Sequence, residues 1–549
     1  MRFYVRPQAP LRFAGALLLT LLAAVVCAAP SMAASRPAAR ARHAMIAGPE
    51  PIAVAEGLAV LTEGGNAIDA AVTMGFVLAV TQPRAGNLGG GGYMLLRTRD
   101  GAAEFIDYRE TAPAAASRRM FLDPSGAPVP DASLATYKAS GVPGTVAGLA
   151  LALRMRGTIP LSRALAPAIR LAGKGFPVSR RMAEDLVEHR AKLARWPASR
   201  RIFFRGDAPL GERDRLVQED LAATLTVLSR QGAEAFYAGS VARALAEDMK
   251  AHGGLIDMRD LSAYRPIVRM PLSGEYRGHV VLSAPPSSSG GIALIQLLNM
   301  LEPHDLTSLG HNSSAGVHLV AEAMKRAFAD RSRWVGDPDF EAVPVAGLTS
   351  RAYTAFMMRG FDPERTTPAP QAGPGDPLAF ESDSTTHFSV VDARGNAVAN
   401  TFTLNDSFGI GAVAGRLGFL LNNEMDDFSI KPGVPNLYGL VGGEANSIAP
   451  GKRMLSSMTP TIVLRRDAGG AAHTYLVLGS PGGPAIITSV LQSLLNVIDH
   501  GMELQAAVDA PRFHHQWLPD RIALDRAGFP ADVMQGLRRR GHEVLEASP

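Results

Sequence analysis

The strongest chemical feature of the chain is a junction at Thr385 and Thr386, where a linker gives way to a strand pattern. Upstream, residues 361–384 (FDPERTTPAPQAGPGDPLAFESDS) are rich in Pro, Gly and acids and read as an exposed, poorly ordered linker. Downstream, His387–Asp392 reads as a strand, Ala393-Arg394-Gly395-Asn396 as a turn and Ala397–Leu404 as a second strand. A threonine hydroxyl is a weak nucleophile until a base takes its proton. An economical base is the threonine's own α-amino group, which titrates at about 7.7–8 in model compounds. That amine exists only if the chain is cut between Ser384 and Thr385. The Thr385 hydroxyl would attack the carbonyl of Ser384, and hydrolysis of the resulting ester would expose the amine. The layout alone also fits a Thr-Thr pair placed at a strand start by β-propensity.

Other residue groups point less sharply. Asp426-Asp427 fits a turn or a helix N-terminus as well as a ligand pair, and Asp427 fits a structural salt bridge equally. His514-His515 places two imidazoles in different directions, and no Cys or carboxylate spacing supports a metal site, so no metal is expected. Gly479-Ser480-Pro481-Gly482-Gly483 is not the G-x-S-x-G elbow, which disfavours a serine hydrolase. Residues 86–92 (GNLGGGG) precede the strand Tyr93–Arg97 and a turn at Asp100-Gly101. A dinucleotide site needs strand, glycines, then helix, so no such cofactor is expected.

The elements that must position these residues are those of a large exported globular chain. It has 549 residues, 47% hydrophobic and 19% charged, with no long charge run, enough for a sizeable core. Arg2, Arg6 and Arg12, the apolar run Phe13–Ala29 and Ser31-Met32-Ala33 read as a secretory signal cleaved after Ala33, not a membrane anchor. The formal charge of +4 falls to +1 when those three arginines leave, and no basic stripe with aromatics suggests nucleic acid. The single cysteine, Cys27, lies in the signal, so the mature chain would have no disulfide and no thiol nucleophile. Ala67–Val80, between Gly64-Gly65-Asn66 and Pro83, predicts a buried helix. Residues 140–260 read as mostly helical, including Met182–Arg195 and Val241–Ala251. Strands near 266–284 precede helices at Ile292–Leu301 and Ala315–Ala329, and there is no internal repeat.

From about Ala47 to about Gly541 the chain closely resembles the γ-glutamyltransferase (γ-glutamyltranspeptidase) family. The resemblance is carried by TTHFSVVDARGNAVANTFTLNDSFG (385–409), GFLLNNEMDDFS (418–429), PNLYGLVGGEAN (435–446), KRMLSSMTPTIV (452–463), GSPGG (479–483) and APRFHHQWLP (510–519). Upstream, GGNAIDAAV, GNLGGGGYML, DYRETAP, SGVPGTVAG, PPSSSGGI and GDPDF are similar to family motifs.

The resemblance implies an α/β (α+β) fold, the four-layer αββα sandwich of N-terminal-nucleophile hydrolases. It implies a precursor that cuts itself into a large subunit (34–384) and a small subunit (385–549) that remain a heterodimer. Thr385 would be the nucleophile, with Thr403 bonding to its hydroxyl. Arg109, Ser456 and Ser457 would hold the α-carboxylate of a γ-glutamyl group. Asp427 would take its ammonium, with Asn405 and Glu424 beside it. Gly482 and Gly483 would form an oxyanion hole, and Tyr438 would belong to a lid. The expected reaction passes the γ-glutamyl group of glutathione or a related amide, through a γ-glutamyl-Thr385 intermediate, to water, an amino acid or a dipeptide, without a cofactor, in the periplasm or outside the cell. Two alternatives are a glutaryl (cephalosporin) acylase-like amidohydrolase and a defective, non-catalytic relative. The second draws on the chain stopping at Pro549, where members of the family continue through a glycine-rich stretch ending near a D-P-R motif. A chain shortened there would leave a strand edge unpaired and slow its own maturation.

Overall fold

The computed structural model describes residues 36–377 and 386–547; the signal residues 1–33, Ser384 and Thr385 lie outside them. Ten strands build the two main sheets: β1 (Met45–Ala47), β2 (Gly91–Arg97), β3 (Ala103–Asp107), β4 (Ile267–Arg269), β5 (Leu272–Tyr276), β6 (His279–Ser283), β7 (Thr386–Val391), β8 (Ala397–Thr403), β9 (Thr461–Arg466) and β10 (Ala472–Leu478). The first sheet runs β1-β7-β8-β2-β3-β4 and the second β10-β9-β6-β5. Both mix strands from before and after residue 385, so neither part of the chain completes a sheet alone.

Side-chain alternation sets the layers, because successive residues of a strand point to opposite faces. Tyr93, Leu95, Phe105, Ala397 and Ala399 of the first sheet meet Leu282, Ile462 and Leu464 of the second in a shared core. The other face of the first sheet, with Met94, Leu96, Ile106, Val390, Val398 and Phe402, packs on helices α1 (Pro51–Thr62), α2 (Ala67–Thr81), α3 (Thr145–Arg156) and α4 (Leu161–Lys174). Further along this helical stretch come the short α5 (Arg180–Glu188) and α6 (Arg190–Ala194), which divide at His189 what the sequence pattern reads as one helix. The outer face of the second sheet, with Tyr276, Val281, Val463, Leu476 and Leu478, packs on α7 (Gly290–Leu301), α8 (Ser314–Trp334) and α9 (Ala485–Ile498). The order is helices, sheet, sheet, helices: the expected αββα sandwich.

Helix α2 forms where its sequence predicts. Asn66 caps it by accepting from Ile68 N and Asp69 N, and Asp69 returns the bond to Asn66 N. All fifteen of its residues are buried, as a helix apolar all round requires. The neighbouring glycine-rich loop is a packing device. A Cβ on Gly90 would lie 2.0 Å from the Thr403 carbonyl oxygen, and one on Gly92 2.6 Å from Phe402 Cα. These glycines let β8 lie flush against β2.

For residues 361–377 the expected exposure holds over much of the segment, but the expected poor order is corrected. Lys325 of α8 donates to Thr366 Oγ1 (2.9 Å) and the Thr367 carbonyl (2.5 Å). Trp517 donates to the Ala369 carbonyl (2.9 Å), and Asp520 accepts from Ala369 N (2.7 Å). Trp334 and Asp330 take the carbonyl and N–H of Gly375 (3.1 and 2.8 Å). Side chains far away in sequence supply the backbone partners that a Pro/Gly-rich segment cannot supply itself. Among the described residues no helix is long and apolar enough to cross a membrane.

Candidate active site

The hairpin at the junction is present. β7 pairs antiparallel with β8, with Phe388 opposite Asn400, His387 opposite Thr401 and Thr386 opposite Phe402. Thr403 is the next residue of β8 and pairs on its other side with Gly91. Alternation from Ala397 and Ala399 aims Thr401 and Thr403 between the sheets, the side to which His387 and Ser389 also point. The His387 ring bridges Thr401 Oγ1 and Ser389 Oγ, each at 2.9 Å. Burial lowers its pKa to about 3, so it is a neutral spacer. Gly479 packs on it so closely that a Cβ would lie 2.1 Å from Nδ1.

Past Thr403 the chain turns through Asn405, a non-glycine residue at φ +71°. Thr403 Oγ1 accepts from Asn405 N at 2.7 Å, which leaves the hydroxyl proton to be donated elsewhere. Asn405 Nδ2 donates to the Asn423 carbonyl (3.0 Å), and Tyr438 Oη donates to the Asn405 carbonyl (3.2 Å). Lys192 of α6 holds the loop beyond: its ammonium pairs with Asp406 and donates to the carbonyls of Ser407 and Gly409, each at 3.0 Å. Thr403, Asn405, Tyr438 and Gly482 line one open cavity of about 1020 Å³. Gly482 (φ +122°) and Gly483 (φ +58°) lead into α9, and among the described residues neither N–H donates to a protein acceptor. Two such groups at a helix N-terminus can receive a developing oxyanion.

Behind Asn405 lies a closed ionic cluster. Arg109, Glu110, Glu424 and Asp427 are all fully buried. The Arg109 guanidinium donates to Glu424 through Nη1 and to Asp427 through Nη2. Nε and Nη2 also reach the carbonyls of Met454 and Leu455, both at 3.1 Å. Glu110 sits 3.7 Å from Nη1. Three carboxyls thus surround one cation. Burial, opposed by Arg109, raises the Glu110 pKa to about 7 and that of Glu424 well above its usual value. Burial works against the Arg109 charge, but Glu424, Asp427 and Glu110 outweigh it and raise its pKa.

Ser456 and Ser457 complete this wall. Ser456 Oγ accepts from Met458 N (3.2 Å), and Ser457 Oγ accepts from Nη2 of the buried Arg331 (2.8 Å). The structure therefore gathers Arg109, Glu424 and Asp427 into one cluster, backed by Ser456 and Ser457. Thr403, Asn405, Tyr438 and Gly482 gather on one cavity. Sequence reasoning missed Glu110, Lys192, Arg331 and His387. Glu110 and His387 sit inside motifs already singled out, whereas Lys192 and Arg331 carry no local signal.

His514 and His515 have separate protein partners. His514 bonds to Thr488 and Gln516, each at 3.0 Å, and His515 bonds to Asp520 at 3.2 Å. Elsewhere His318, Glu322 and His542 converge, but Glu322 is bonded to Lys325 and Arg326 and the two rings bond each other at 2.7 Å.

Known proteins fit this architecture. The family model described as Gamma-glutamyltranspeptidase matches residues 53–549. The chain is 49% identical over 506 residues to the glutathione hydrolase proenzyme of Escherichia coli (strain K12), covering 92% of this chain and 86% of that protein. Among solved structures, the Helicobacter pylori gamma-glutamyltranspeptidase is 44% identical with a TM-score of 0.61, over 62% of this chain and 97% of the other. The cephalosporin acylase from Bacillus halodurans superposes with a TM-score of 0.82 at 26% identity, over 95% and 93% of the two chains.

Proposed function

The chain belongs to the gamma-glutamyltranspeptidase family, and from that premise we propose that it cuts itself before Thr385 and transfers the γ-glutamyl group of glutathione and related amides. Residues 1–33 direct export and are removed. Cleavage leaves residues 34–384 and 385–549 as two subunits of one heterodimer, in keeping with sheets built from both. The Thr385 hydroxyl attacks the γ-carbonyl of the donor while the Thr385 amine takes its proton. The oxyanion is held by Gly482 and Gly483 N–H groups, and the Thr403 hydroxyl donates to Thr385 Oγ. Collapse expels the amine, which leaves with the proton. Water, an amino acid or a dipeptide then takes the γ-glutamyl group from the Thr385 ester. Tyr438, bonded to the Asn405 carbonyl, covers the site as a lid.

The observation that carries the substrate reading is the saturation of Arg109 by Glu424 and Asp427. A zwitterionic glutamyl head enters by exchange. Its carboxylate takes Arg109, with Ser456 and Ser457 donating, and its ammonium takes the displaced carboxylates, with Asn405 beside it. The buried charge stays balanced. A glutaryl group brings a carboxylate and no ammonium, and so leaves a buried carboxylate unpaired, a loss of about 1–3 kcal/mol or more. The test compares γ-glutamyl and glutaryl anilides on the purified protein. The γ-glutamyl compound should be turned over more efficiently, by roughly five- to a hundredfold or more on the same arithmetic; equal or reversed preference would favour an acylase.

A further inference from the structure

The cavity that carries Thr403, Asn405, Tyr438 and Gly482 also carries two arginines, Arg84 beyond the end of α2 and Arg181 in α5. The Arg84 guanidinium is held at two points. Nε donates to Ser407 Oγ and Nη1 to Asp185 Oδ1, each at 3.0 Å. Arg181 Nη2 lies 3.0 Å from the same Asp185 oxygen. Asp185 is buried, while the Arg84 side chain is 38% exposed and its Nη2 makes no hydrogen bond among the described residues. Two guanidinium groups on one carboxylate leave an excess of positive charge there. The nearby Lys192 and Asp406 cancel each other. Arg512, on another part of the wall, is turned to the Val508 carbonyl of its own segment. Arg84 is therefore a fixed cation with a donor face open to the cavity, and the rotamer freedom that a binding side chain normally loses is already spent.

A γ-glutamyl amide with a peptide leaving group ends in a carboxylate. A two-residue group reaches ~7 Å from the scissile nitrogen, and Ser407, which Arg84 touches, lies four residues from Thr403. We propose that Arg84, oriented by Asp185 and Ser407 and flanked by Arg181, binds the terminal carboxylate of the peptide portion of donors and of peptide acceptors. This deepens the γ-glutamyl-transfer reading and rests on it. A planar guanidinium suits a carboxylate bidentately.

The test uses the processed enzyme and three donors: glutathione, glutathione with its glycine carboxyl converted to the amide, and a γ-glutamyl anilide. In wild type, the acid form should have the lower KM, and added salt should raise that KM while leaving the amide's unchanged. Arg84→Gln should raise KM for glutathione roughly three- to tenfold at constant kcat, Arg84→Lys should recover part of the loss, and Arg84→Gln with Arg181→Gln should lose more. The losses should be confined to the donor that carries the carboxylate, and anilide turnover doubles as the check on folding. Equal effects on the acid and amide forms, or none on either, would overturn the proposal, as would a salt-independent wild-type preference. A wild-type enzyme inert on all three donors would instead overturn the underlying transfer reading.

Discussion

Arg109 and Arg84 are both paired with carboxylates, Arg109 sealed in protein and Arg84 at the wall of an open cavity. Arg109 is fully buried among three carboxyls and two backbone carbonyls, so its charge is balanced entirely within the protein. Arg84 is partly exposed, shares one carboxylate with Arg181 and keeps a donor face in solvent. The difference separates two ways of recognising a substrate. In the proposed reading the buried cluster would exchange partners, which would enforce chemical identity at a high cost for error. The open arginine adds attraction that water and salt dilute.

The largest effect should come from breaking the buried side. Arg109→Gln strands Glu424 and Asp427, and a buried charge that loses its partner costs about 3–5 kcal/mol; denaturant unfolding should show that loss, together with abolished turnover. Asp427→Asn should act on substrate choice more than on stability. Losing its charge-assisted bond to the ammonium costs about 1.5–3 kcal/mol, read as a drop of roughly ten- to a hundredfold in kcat/KM for γ-glutamyl donors. Glutaryl donors should change far less, and equal losses on both would give Asp427 a structural role.

Glu110→Gln sharpens the comparison through pH. Burial, opposed by Arg109, pushes its carboxyl from the usual 4.5 up to about 7 in the fold. The folded state therefore holds a proton that the unfolded chain releases, and wild-type stability falls as pH rises from about 4.5 through about 7. The neutral glutamine escapes this loss, so the melting temperature of the variant should gain on wild type across that window and level off above it. A pH-independent difference would contradict the assignment. Lys192→Met should be milder, at roughly 1 kcal/mol, with kcat reduced more than KM because the loop after Thr403 loses its anchor; unchanged kcat would remove Lys192 from the positioning set. Smallest of all, Arg84→Gln should leave the melting temperature nearly where it was, an effect within about 0.5 kcal/mol, despite its effect on glutathione.

What the chain's letters revealed follows the range of the interaction. Helix α2 and the β7–β8 hairpin depend on local capping, periodicity and turn residues, and they form where those signals lie. The α5–α6 break is local too, but no proline or glycine marks it in the helical pattern. The ordering of residues 361–377 depends on Lys325, Asp330, Trp334, Trp517 and Asp520, which no reading of a Pro-rich segment reveals. The site divides in the same way. The family motifs point to Arg109, Glu424 and Asp427, but the pairing of Arg109 with carboxylates more than three hundred residues away is a fact of the packed sheets. Arg331 reaches Ser457 across 126 residues, and its helix pattern shows only another solvated charge.

The central claim is that Thr385 both cuts the chain and attacks the donor. Mass analysis of the purified protein, resolved on a denaturing gel, tests it most directly. From a 58.0 kDa chain, wild type should give fragments of about 37 and 17 kDa. The smaller should begin at Thr385 and gain a γ-glutamyl mass on that residue when quenched during turnover. Thr385→Ala should remain one chain and acquire no label. If Thr385→Ala still splits at the same bond, or if the small wild-type fragment begins at another residue, Thr385 is not the nucleophile that processes this protein.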